Sequence, residues 1–170
     1  FKIHLAPIAY DFVFAPGIAL SDQRQSALIS VYQALQNILE RHPEAKISIC
    51  AHSFGTILLK HVLTLDRTMR FDRIFLFGSL VRRDAIAIIA QRAELLICDC
   101  GARDWVVALA NLVRPDLYGP TGLYGVRNAA LARDRFFADE HGSRLTFEHF
   151  RQYVYPAIVR DDVPLPNEFH

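Results

Sequence analysis

One fifteen-residue stretch constrains this chain more than any other: Lys46 to Lys60, KISICAHSFGTILLK. Lys46–Cys50 carries β-branched residues behind Pro43 and predicts a strand. Thr56–Leu65 has apolar residues at Ile57, Leu58, Val62 and Leu65, the spacing of one helix face. Only Ala51-His52-Ser53-Phe54-Gly55 lies between them. The strand must therefore pass into the helix through a sharp turn centred on a serine, with a small residue two positions to either side.

The small residues have a steric reason. A serine at the apex of such a turn is forced into a sparsely allowed backbone region, at a cost of about 1–3 kcal/mol. The residues two before and two after it approach each other, so only small side chains fit. The usual form of this nucleophile elbow is G-x-S-x-G. Ala51 departs from it by one methyl group and Gly55 keeps it. The serine then stands at a helix N-terminus, where backbone N–H groups and the dipole favour developing negative charge. The N–H of Phe54 is the natural oxyanion donor. The ordinary alternative is a serine that merely caps the helix with its hydroxyl.

Composition narrows the classes. A chain of 170 residues suffices for one domain with a real core, and 52% apolar against 22% charged residues predicts a globular fold. The net charge of +1 gives no electrostatic case for nucleic acid or an anionic membrane. No apolar run reaches the roughly 18 residues of a membrane span, and no signal peptide is visible. Cys50, Cys98 and Cys100 fall in strand-like runs without C-x-x-C spacing. An odd number rules out a complete disulfide framework and predicts reduced thiols in a cytoplasmic setting. No Cys/His cluster has zinc spacing. The chain opens on Phe1, inside an apparent strand, and is expected to be a fragment lacking its native start.

Along the chain, Phe1–Val13 predicts a strand and a loop, and Pro16-Gly17 a turn. Ser21 or Asp22 can cap a helix reaching about His42, with Leu28, Val31, Leu35, Ile38 and Leu39 on one face. Arg73–Phe77 and Glu94–Cys100 are continuous apolar runs, as in strands covered on both faces. Asp84–Gln91 and Asp104–Val113 are helix candidates. Residues 114–128 read as a long loop. Its Gly119, Gly122 and Gly125 lack the strand–helix context and the G-K-[ST] of a phosphate loop, while Tyr118 and Tyr124 could line a pocket. Arg133–Ala138 predicts a last strand, Thr146–Val159 a helix, and residues from Asp161 a loose tail. Alternating strands and helices imply an α/β fold over residues 1–160, with a mostly parallel sheet and helices on both faces. Ligands of such sheets sit beyond the carboxyl ends of the strands.

Four pieces, AHSFGT, RIFLFGS, ELLICDCGARDWV and ADEHG, occur in an order that resembles the α/β-hydrolase superfamily of serine hydrolases, and the resemblance covers nearly the whole chain. It implies that fold without its first strands. It also implies an acid after the strand ELLICDC, matched by Asp104, and a histidine after the last strand, matched by His141. Asp104 would orient His141 and stabilise its imidazolium, although an aspartate there also caps the Trp105 helix well. Asp99 and Asp84 are the other acids in range, and His149 is the other histidine. His52, His61, His42 and His4 read as structural. The family's second oxyanion donor, often on a His-Gly loop before the elbow, has no counterpart ahead of Ser53.

The resemblance implies hydrolysis of an ester, thioester or related small-molecule acyl compound through Ser53, His141 and Asp104, with Phe54 N–H on the oxyanion. No metal or organic cofactor is needed. Two alternatives share the fold: a silent binding or scaffold module, and an acyltransferase using the same three residues.

Overall fold

The computed structural model describes residues 4–8, 21–128, 130–160 and 162–166. The chain forms two compact units, Phe1–Ala45 and Lys46–His170. In the first, α1 spans Ser21–Arg41. Ala27, Val31 and Leu35, four residues apart on one side, are buried. Residues 4–8 have no regular structure. The rest of the strand expected over Phe1–Val13, and the Pro16-Gly17 turn, lie outside the described residues, as do the side chains expected to cap α1.

The second unit is built on four strands: β1 (Ser48–His52), β2 (Phe71–Phe77), β3 (Ala93–Gly101) and β4 (Arg133–Phe137). They form one sheet in the order β1-β2-β3-β4, with every pairing parallel. This is an α/β architecture. Between the strands run α2 (Phe54–Leu65), α3 (Ile86–Ala90), α4 (Trp105–Val113) and the single turn α5 (Thr121–Tyr124), which interrupts the long loop.

All seven residues of β2 are buried, which requires cover on both sides of the sheet. Side chains alternate along a strand, so each cover can be identified. Phe75, Phe77 and Ile97 pack against Val154 and Ala157 of the C-terminal segment. On the opposite face, the thiols of Cys98 and Cys100 reach the Thr121 carbonyl of α5, at 3.5 and 3.3 Å. Each fully buried Ile, Leu or Phe in these layers contributes about 1.5–3 kcal/mol of burial. No helix of the described residues is long and apolar enough to cross a membrane.

The helix expected over Thr146–Val159 is present from Phe147 to Val159, with a change of pitch inside it. The segment is a short α6 (Phe147–His149), a wider π turn (Phe150–Val154) and α7 (Tyr155–Val159). Pro156 supplies the reason. It has no N–H to donate, and its ring crowds the carbonyl four residues back, so the ladder widens before it. Residues 162–166 have no regular structure; the remainder of the tail lies outside the described residues.

Candidate active site

All four strands end at the same edge, so the segments that follow them share one rim. Ser53 follows β1, Gly78 follows β2, Asp104 follows β3 and His141 follows β4.

Ser53 has φ 51° and ψ −125°, a conformation that L residues seldom adopt. Such a residue persists only where its surroundings over-determine it. Its N–H donates to the Phe77 carbonyl at 3.0 Å. Its carbonyl accepts from the Thr56 N–H at 3.0 Å and from Thr56 Oγ1 at 2.6 Å. Thr56 Oγ1 in turn accepts the Leu80 N–H at 3.2 Å, tying the turn to the end of β2. Ala51 and Phe54 are buried, while Ser53 is half-exposed. The hydroxyl makes no capping bond to α2, so this serine is not the ordinary cap. Phe54 opens α2, with its N–H in the first turn.

Asp104 is fully buried and serves two partners. It is the N-cap of α4, accepting the Val107 N–H on Oδ1 at 3.1 Å. Both its carboxylate oxygens also lie 2.9 Å from His141 Nδ1. The capping role and the pairing with histidine are therefore compatible. An ionised carboxylate can only accept, so Nδ1 carries the proton and Nε2 is left as the basic nitrogen.

Gly78, at φ +51°, is the spacer between these groups. A Cβ there would stand 2.9 Å from His141 Cε1 and Nδ1, and 3.0 Å from Asp104 Oδ2. His52 pairs with Phe77 across the sheet, so Ser53 leaves β1 at the level where Gly78, which packs against His141, leaves β2. The His52 ring packs against that of His141, with centroids 4.6 Å apart. Burial, followed by the neighbouring His141 and Arg144, pushes the His52 pKa down to about 4, so the ring is neutral. Sequence reading gave His52 no part in the site; the tight end of β1 brings it there. Among the described residues, no hydrogen bond joins the Ser53 hydroxyl to His141.

The alternative residues are engaged elsewhere. Asp99 is fully buried and takes Arg135 as a two-pronged ion pair, Nε to Oδ1 at 2.6 Å and Nη2 to Oδ2 at 2.7 Å. His149 Nε2 lies 2.8 Å from the same Asp99 Oδ2. Asp84 pairs with Arg82 on the exposed surface. One group of metal-ligating atoms is close together among the described residues: Cys98, Cys100 and Asp134, within 4.8 Å of one another. Each already has a partner in the fold. The thiols face Thr121 O, and the two Asp134 oxygens accept the Val126 and Arg127 N–H groups at 3.0 and 2.7 Å. Gly122 allows the loop backbone to lie against Ser79, a packing role for that glycine.

Arg144 escaped sequence reading altogether. It is buried beside Asp104, with Nη2 3.6 Å from Oδ2, and no pattern in the loop marks it.

Compared with family models, curated proteins and solved structures, the chain matches none.

Proposed function

We propose that this protein is a serine hydrolase of the α/β-hydrolase type, acting on an ester, thioester or related acyl compound. The observation that carries the reading is the strained, uncapped Ser53 at the rim where His141 rests on Asp104. A helix-capping serine needs neither the strain nor the neighbouring dyad.

In the proposed cycle, Ser53 Oγ attacks the acyl carbonyl carbon as His141 Nε2 takes the hydroxyl proton. The Phe54 N–H supports the oxyanion. Asp104 accepts from Nδ1–H and stabilises the imidazolium. His141 then returns the proton to the leaving alcohol or thiol as the acyl-enzyme forms. Water, deprotonated by the same imidazole, attacks that ester, and collapse of the second intermediate restores Ser53 and releases the acid. Hydrogen bonds of this kind are commonly long without substrate and tighten in the reacting complex, so an open Ser53–His141 pair is compatible with the cycle.

A panel of p-nitrophenyl and thioester acyl substrates tests the reading. Turnover that disappears in Ser53→Ala is the expected result. Turnover that survives the substitution would refute it. The second reading, a module of this fold that does no chemistry, draws on the missing Ser53–His141 hydrogen bond. It predicts no turnover in either form.

A further inference from the structure

Arg144 lies on the loop that carries His141 and is 2% exposed. Nη1 donates to Asp139 Oδ1. The guanidinium carbon sits 6.0 Å over the Phe137 ring. Nε and Nη2 are buried with no hydrogen-bond acceptor among the described residues, and Asp104 Oδ2 stands 3.6 Å from Nη2, just beyond hydrogen-bond reach. A buried guanidinium is costly unless anions stand beside it. Here there are two: Asp139 on its own loop, and the carboxylate that holds His141.

The space for this cation is purpose-made. Gly101 ends β3, and a Cβ there would come 2.7 Å from Nη1 and 2.8 Å from Nη2. Around it the two loops are stitched together by the Ala102 N–H to Phe137 O at 2.8 Å and the Arg103 N–H to Asp139 O at 3.1 Å. The guanidinium therefore spans the loop that presents Asp104 and the loop that presents His141.

We infer that Arg144 is a positioning residue for the hydrolase site: it clamps the His141 loop onto the Asp104 loop and keeps the carboxylate aimed at Nδ1. The inference rests on the serine hydrolase reading for its consequence in catalysis, though not for its geometry. Its action is indirect, since Arg144 faces Asp104 and Asp139 rather than Ser53. A loosened clamp lets the imidazole swing, and a displacement of about 1 Å at a reacting group costs roughly 10²-fold in rate.

Two readouts test this in the whole folded protein. One is the rate at which a fluorophosphonate labels Ser53. The other is the far-downfield NMR resonance of the His141 Nδ1 proton, which needs no turnover. Arg144→Met is expected to lose the resonance and to slow labelling about 10²-fold, while Arg144→Lys restores the resonance and much of the rate. Gly101→Ala keeps the charge but displaces the guanidinium, and gives the same loss if Arg144→Met does not fold. A folded Arg144→Met or Gly101→Ala protein that keeps both the resonance and the wild-type labelling rate overturns the inference. A resonance that depends on Arg144 in a protein whose Ser53 never labels would uphold the clamp and reject the hydrolase reading.

Discussion

Asp104 and His141, separated by 36 intervening residues, meet through Nδ1 at 2.9 Å from either carboxylate oxygen, while the same carboxylate caps α4. These two duties can be separated by substitution. Asn is as good an N-cap as Asp, but it no longer fixes the imidazole tautomer. Asp104→Asn should therefore keep the α4 cap and lower turnover by about 10⁴, with some loss of stability because one of the two anions beside the buried Arg144 is gone. Near-normal turnover in this variant would remove Asp104 from the proposed triad.

For activity, Asp99 makes the opposite prediction. Its carboxylate compensates a fully buried Arg135, so Asp99→Asn leaves a buried cation with a weaker partner. Removing one partner of such a pair costs about 3–5 kcal/mol, which chemical denaturation would measure. The folded fraction should still label at Ser53. A loss of labelling with stability intact would instead make Asp99 the acid.

The Ser53 backbone carries its own test. A residue at φ 51° is relieved by glycine and not by alanine. Ser53→Gly should be more stable than Ser53→Ala by about 1 kcal/mol. Equal stabilities would mean that the turn is not strained.

Acid should weaken the fold through His52. Its folded pKa of about 4 lies below the ordinary 6.5, so between those values the unfolded chain binds more protons than the folded one. The contribution is complete above pH 6.5 and is lost as pH falls toward 4. Melting temperature should fall across that window, and the slope should flatten in His52→Gln. An unchanged slope in the variant would assign the acid sensitivity to other groups.

The parts of this molecule that sequence exposes are those with local causes. Ala51, Ser53 and Gly55 announce a sharp turn because sterics leave few residues that fit there. β2 and β3 announce burial because no polar residue interrupts Ile74–Phe77 or Leu95–Cys98. Asp104 and His141 are legible only through their order after the strands. What escapes is tertiary. Arg135 and Asp99 look like surface charges within strands until the sheet pairs them. Arg144 has meaning only beside Gly101, 43 positions earlier in the chain. The widened turn before Pro156 is legible in principle, because proline inside an amphipathic pattern disturbs the hydrogen-bond ladder ahead of it.

The measurement that bears most directly on the account is mass spectrometry of the folded protein after exposure to a fluorophosphonate. A covalent adduct mapped to Ser53, absent in Ser53→Ala and formed far more slowly in His141→Ala, is the predicted result. A well-folded protein that stays unmodified, or that is modified at some other serine with Ser53 untouched, would contradict it.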